Sequence, residues 1–379
     1  MVNVPTINDI LELTEAFEGQ PIAILSDKCV KVRNRNARCT RCVDACPVPE
    51  VLVVDHNEVK IDHHTCSLCG ACTTVCPVGA LMPLHPDDQE LAEDIVAATT
   101  SAHTTVIACA RMAARHIADP DRFAEVPCLG RIEESLLVDI AAHDQADITL
   151  VDGDCSTCRY RLTDLTTSSM VASCNELLDA WGSNVHIQRT SAFPDAVLPD
   201  ERHRAFDRRR RRAFTDAKDS AKDAALKTAA KQLRLEQEKK SLKDRLKVSG
   251  GKLPQFEPTR HHKVLDALDR MGSPEKDTIS TRLWGRVEID ANTCNACGMC
   301  AVFCPTGALK KVKSPTSKGL MLEFTCSDCV QCDLCSDACF KRCLTVSKEI
   351  QTSELMDFEP RIIAIDTETN HSVPSSFLA

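Results

Sequence analysis

The chain has 379 residues, 43% of them hydrophobic but only 4% aromatic, with 23 cysteines and a net charge of −9. That length predicts about two to four domains. The lack of any apolar run of roughly 18 residues argues against a membrane-spanning helix, and the opening segment lacks the basic and apolar regions of a secretory leader. An odd cysteine count in C-x2-C spacing disfavours a secreted disulfide framework and predicts reduced thiolates on metal, in a cytoplasmic, low-oxygen setting.

A first module is expected over residues 26–85. It holds Cys66, Cys69, Cys72 and Cys76 followed by Pro77, a C-x2-C-x2-C-x3-C-P spacing that wraps thiolates around a cubane iron-sulfur cluster. A variant run, Cys39, Cys42 and Cys46 with Pro47, precedes it. Between them VLVVDHNEVKIDHHTC alternates apolar residues around a turn, predicting a hairpin that feeds Cys66.

Residues 90–192 alternate short apolar runs with helical stretches, the pattern of an α/β parallel-sheet domain. TTVIACA, FAEVPC, ADITLVDG and NVHIQRT read as strands; RIEESLLVDIAAHDQ and the stretch from Arg159 to Trp181 read as helices. Cys109 follows the first strand, Cys128 ends the second, and Cys155 and Cys158 follow the third. Open α/β sheets place ligands outside the carboxyl ends of their strands, so three strand ends could bring four thiols to one rim. Cys174 falls on a predicted helix and reads as a small buried residue.

Residues 200–271 read as a basic helical linker. Between Asp200 and Lys247 there are 17 basic and 9 acidic residues and no glycine or proline, and a narrow apolar stripe runs from Phe214 to Leu233. The run Arg208 to Arg212 has no interleaved aromatics, so a solvated face or a dock for an acidic partner is expected rather than nucleic acid. His261 to Met271 predicts a short amphipathic helix. A second module follows over residues 283–348, where strand VEID leads into Cys294, Cys297, Cys300, Cys304 and Pro305. Its second run is Cys329, Cys332, Cys335 and Cys339, with Phe340 in place of the proline. Cys326 and Cys343 flank that run and make a slid register conceivable; the x3 spacing favours Cys339 and leaves Cys343 as a small core residue. Residues 349–379 read as a tail lying on the body. The fold class is therefore α+β modules at both ends, an α/β parallel-sheet middle domain and a helical linker.

Through CSLCGACTTVCPVGAL and CNACGMCAVFCPTGAL the outer modules resemble bacterial 2(4Fe-4S) ferredoxin domains. In such proteins the fourth cysteine of each run ligates the other cluster. The C-terminal module then uses Cys294, Cys297, Cys300 and Cys339 for one cluster, and Cys329, Cys332, Cys335 and Cys304 for its partner. In the N-terminal module Cys66, Cys69, Cys72 and Cys46 hold one cluster, and Cys39, Cys42 and Cys76 hold the other with Cys29 as a displaced first ligand. Without Cys29 that site would carry a three-iron cluster or recruit an outside ligand.

The middle segment resembles the delta subunit of the methyl-viologen-reducing hydrogenase, through VPCLGRIEESLL, DCSTCRY and LLDAWG. The resemblance implies a 2Fe-2S cluster on Cys109, Cys128, Cys155 and Cys158, and electron relay between a hydrogenase or formate dehydrogenase and a flavin-containing reductase of the heterodisulfide reductase type. This chain departs from the family in its single Cys109 and its tight Cys155-x2-Cys158 pair. Zinc is the alternative metal for those four thiols.

No Gly-rich nucleotide loop, serine elbow or HExxH motif accompanies the cysteines, so no catalytic residue is assigned. The expected role is an electron-transfer subunit with four 4Fe-4S clusters and one 2Fe-2S cluster in a cytoplasmic oxidoreductase complex. A thiol-disulfide enzyme using Cys155 and Cys158, and an assembly scaffold stabilised by its clusters, are the alternatives.

Overall fold

The structure is a computed structural model describing residues 22–54, 58–84, 86–144, 146–199, 253–312 and 320–365. The basic segment from Asp200 to Lys247 and the chain beyond residue 365 lie outside the described residues.

The N-terminal module is built from two small antiparallel pairs. Strand β1 (Ile22–Ile24) lies beside β4 (Leu81–Pro83), and β2 (Leu52–Val54) forms the anticipated hairpin with β3 (Val59–Ile61), Leu52 facing Ile61. Leu52, Val59 and Ile61 are buried while Val53 and Lys60 face out, the period-two alternation of a half-buried ribbon. Helices α1 (Val30–Arg33), α2 (Arg41–Asp44) and α3 (Ala71–Val75) are single turns set between the cysteines.

Helix α4 (Asp88–Ala102) opens the middle domain. The Asp87 carboxylate accepts from the Gln89 and Glu90 N–H groups while the Glu90 carboxylate accepts from the Asp87 N–H, a capping box that fixes where the helix starts. Strands β5 (Thr105–Cys109), β6 (Ala124–Val126), β7 (Ile148–Val151) and β8 (Ile187–Thr190) form one parallel sheet in the order β6-β5-β7-β8. Helices α5 (Glu134–Asp144) and α6 (Thr163–Ala180) connect them. Side chains of α4, α5 and α6 cover one face, and Met112, Phe123, Phe193 and Val197 cover the other. Burial on both faces is why these strands read as continuous apolar runs. The chain leaves β5 toward β6 on one side and returns to β7 on the other, so the carboxyl ends of β5 and β7 flank a topological switch point.

Helix α7 (Thr259–Met271) buries His261, Val264, Leu265, Ala267 and Leu268 and packs on α5. The C-terminal module then pairs β9 (Thr278–Ser280) with β14 (Glu349–Gln351), pairs β10 (Arg286–Ile289) with β13 (Leu344–Ser347), and aligns β11 (Leu309–Val312), β12 (Leu320–Phe324) and β15 (Arg361–Ile365) in one sheet. Its short helices are α8 (Met299–Phe303) and α9 (Leu334–Asp337). Residues 349–365, read as a tail, instead supply two strands, because Ile350 and Ile365 enter the core. Among the described residues no helix is long and apolar enough to cross a membrane.

One apolar core runs from the middle sheet through α7 to Trp284, Leu322 and Phe324. At that junction Glu134, fully buried, pairs with Arg282, whose Nη2 donates to Glu134 Oε2 at 2.9 Å. Burial alone would raise the Glu134 carboxyl, but the Arg282 charge and its hydrogen bonds override it and hold the group below its usual range. Arg260 ties in the third part: it pairs with Glu133 and donates to the Thr73 and Thr74 carbonyls at 2.9 and 2.8 Å. Glu134→Ala would strand the Arg282 cation, so we expect a loss of about 3–5 kcal/mol, read as a lowered denaturation midpoint of the full-length protein.

Candidate metal centres

Three of the four cysteine runs share one backbone path. Leu68 and Gly70 have φ of 60° and 75°, Ala296 and Gly298 of 57° and 72°, Gln331 and Asp333 of 49° and 61°. Left-handed residues two apart turn successive cysteines toward a common centre, at a cost that non-glycine residues bear only where the surroundings enforce it. Gly70 has a second constraint: a Cβ there would stand 2.4 Å from Cδ of Arg131. The turn after the fourth cysteine also recurs, with Gly79 at 59°, Gly307 at 78° and Arg342 at 52°. Replacing proline by Phe340 therefore leaves the turn in place and sends the ring outward, 89% exposed.

The run from Cys39 departs from this path. Its middle residues close into α2, and Cys29 stands at the N-cap position of α1. Cys29 lies within electrostatic reach of Cys76 and Cys39, and Cys42 within reach of Cys76, Cys39 and Cys29. Cys72 neighbours Cys69, Cys66 and Cys46, and also Cys42 of the adjoining set. The structure thus groups Cys29, Cys39, Cys42 and Cys76 in one set and Cys46, Cys66, Cys69 and Cys72 in the next.

The C-terminal module repeats the exchange of fourth cysteines. A cavity of about 340 Å³, including its open mouth, is lined by Cys304, Cys329, Cys332 and Cys335 together with Val287, Leu309 and Phe324 among others. Cys300 neighbours Cys294, Cys297 and Cys339, which form the outer set, and Cys335 neighbours Cys300 across the module. Cys326 is absent from the cavity wall and faces Glu354, Arg361 and Arg286. Cys343 is buried as expected of a core residue, yet its Sγ lies 3.5 Å from Sγ of Cys339, making it a fifth thiol beside the outer set. The x3 offset that places it one turn beyond Cys339 was the only signal of this in the sequence.

Burial pushes the thiols of Cys42, Cys300 and Cys329 up to about 12 and that of Cys69 to about 11, and neighbouring sulfurs add to the rise. Sulfurs so crowded keep their protons unless a cationic core takes up their charge, which is the donor chemistry of a metal cluster. Backbone donors complete the fit: the Ala80 N–H points to Sγ of Cys76 at 3.2 Å and the Leu309 N–H to Sγ of Cys304 at 3.5 Å.

In the middle domain Cys128 neighbours Cys109 and Cys158, and its Sγ lies 3.0 Å from Oγ1 of Thr163. Cys155 neighbours Cys128 but also leans on Asp152, with Sγ and Oδ2 3.8 Å apart. Asp152, Asp164 and Arg189 went unremarked in the sequence, although VDGDC places acids at the strand end. Arg189 bridges both carboxylates, at 2.6 Å to Asp164, and offsets one of their two charges. Burial first, then Asp152 and Asp164, push the Cys155 thiol up to about 12, the reverse of the depressed pKa that a thiol nucleophile requires.

Two seams bring the sets together. Ala45, Cys69 and Ala71 pack against Cys128 and Tyr160; the Tyr160 hydroxyl donates to the Ser67 carbonyl at 2.8 Å and Thr74 Oγ1 donates to the Gly130 carbonyl at 2.9 Å. Val30 and Ala37 pack against Leu334, with Cys39 and Cys332 at the edges of the contact. Around this second seam Arg38 pairs with Asp337 at 2.7 Å, and Arg41 donates to Asp333 at 3.0 Å and to the Gln331 carbonyl at 2.6 Å.

Residues 37–80 match a family described as 4Fe-4S dicluster domain, and residues 287–310 match one described as 4Fe-4S binding domain. No curated protein and no solved structure matches the chain. Both ends therefore carry ferredoxin-type iron-sulfur domains, and the two matches do not extend to the middle domain. The grouping of thiols sets an expectation for substitution: Cys29→Ser should remove between about one and four iron atoms per chain, the difference between a three-iron remnant and loss of the cluster. Cys326→Ser should leave iron unchanged. Iron and labile-sulfide analysis of the anaerobically purified variants decides both.

Proposed function

We propose that the protein is an electron-transfer subunit of a larger oxidoreductase complex, carrying four 4Fe-4S clusters and one 2Fe-2S cluster and having no catalytic site of its own. The observation that carries this reading is the unbroken series of cysteine sets. Cys300 neighbours Cys335 within the C-terminal module, Cys332 and Cys39 pack against the same seam cluster, Cys42 neighbours Cys72, and Cys69 neighbours Cys128. Iron-sulfur clusters, when bound, supply one-electron exchange at potentials set by charge, hydrogen bonds and burial.

The residues of the chain hold the five sets in fixed neighbourhood and shield the seams between them. Leu334 and Val30 exclude water from one seam, Ala71 and Tyr160 from the other. At one end of the series Cys297 and Phe340 are exposed; at the other, Leu165 beyond Cys158 is 78% exposed. These ends suit two different partners, a donor and an acceptor. The resemblance of the middle segment to the hydrogenase delta subunit supports a flavoprotein and a hydrogenase or dehydrogenase as those partners, in a cytoplasmic, low-oxygen setting. The raised thiol of Cys155 counts against the thiol-disulfide alternative.

Anaerobically purified protein should contain about 18 iron atoms per chain, from four four-iron clusters and one two-iron cluster, with negligible zinc. A value near 16 with one zinc would make the middle site structural and break the series at Cys128. Cys155 and Cys158 should resist alkylation in the intact protein under reducing conditions and become reactive after chelation; free reactivity before chelation would overturn their assignment as ligands.

A further inference from the structure

Arg33 ends α1 in the N-terminal module and is 2% exposed. Its hydrogen-bond partners among the described residues are both backbone carbonyls, Pro254 at 2.7 Å and Asp27 at 3.3 Å, each reached by Nη1. The guanidinium carbon lies 5.4 Å from the ring centre of Phe256, whose N–H donates to the carbonyl of Pro305, the residue after Cys304. Nε and Nη2 are buried and have no hydrogen-bond partner among the described residues. A buried cation with two unused donors needs an anion. Among the described residues, Cys304 and Cys332 lie within electrostatic reach of the guanidinium and line the cavity of the inner C-terminal set.

We propose that the unused Nε and Nη2 donors of Arg33 serve a cluster held by Cys304, Cys329, Cys332 and Cys335 in the other module, hydrogen-bonding its sulfides, and so raise its reduction potential. The inference rests on the reading that this set holds a 4Fe-4S cluster. Adding one electron to the site adds one negative charge, and a fixed cation with two N–H donors stabilises the reduced form more than the oxidised one. Because Arg33 and its ligating neighbours belong to different modules, the potential of this site depends on the seam being closed. Arg33 is a positioning and tuning residue, not a ligand.

The test is an electron paramagnetic resonance redox titration of full-length holoprotein, with iron and labile sulfide counted on each sample. The signal of this site is identified by its loss in Cys332→Ser. In Arg33→Met, iron should stay at the wild-type level while the reduction equilibrium constant of that one signal falls about tenfold, a shift of about 59 mV to lower potential for one electron, with the other signals unmoved. Arg33→Lys should shift it less, keeping the charge but losing the planar fork. An unmoved potential at full iron in both variants would overturn the proposal. So would an equal shift of every signal, or loss of about four iron atoms from both variants, which would leave Arg33 a structural role alone. Wild-type protein with no four-iron signal sensitive to Cys332→Ser would sink the underlying assignment, and this inference with it.

Discussion

Crowding of thiols in low dielectric is the constraint on which the rest of the molecule depends. The sets of the two outer modules crowd sulfurs within electrostatic reach of one another, and burial favours their protonated form in the bare chain. Folding to this geometry becomes favourable when a cationic core replaces the protons, so metal binding and folding are one process. The composition agrees. The N-terminal module has a small apolar core centred on Ile22, Leu52, Ile61 and Leu81, and aromatics make up only 4% of the chain. Without the bound core, so little buried area would offset poorly the entropy of ordering some sixty residues.

The seams obey a different rule. Across them, arginines reach backbone carbonyls and acids supplied by the neighbouring part: Arg260 to Thr73 and Thr74, and Arg41 to Gln331 and Asp333. A planar guanidinium fixes direction as well as distance, which an apolar contact alone would leave loose. Such joints keep neighbouring cysteine sets in register without large apolar surfaces on small modules.

Much of this was legible in the sequence. The four strands of the middle sheet and their parallel order follow from alternating apolar and helical segments, and the hairpin before Cys66 follows from its period of two. The placing of Cys304 beside Cys329, Cys332 and Cys335 is what the resemblance to two-cluster ferredoxins implies. The left-handed pair at Gln331 and Asp333 was hidden, because side-chain type signals that conformation reliably only where glycine stands, as at Gly70 and Gly298. The strands at 349–351 and 361–365 were hidden because each is short and takes its partner from far away in the chain. Cys39 and Cys332 share one seam and Cys69 and Cys128 the other, positions with no local pattern in common; these are products of how the three parts dock.

The order in which the sulfurs occur along the chain differs from the order in which they meet. Both N-terminal sets are contained between Cys29 and Cys76, so all their thiols are synthesised before the middle domain begins. The partner surface at Leu334 that covers Val30 and Ala37 is synthesised some three hundred residues later. Until then the cover that Leu334 gives to Val30 and Ala37 is missing. Cluster delivery to this protein is therefore a matter of timing as well as affinity, with the oldest sites exposed longest and sealed last.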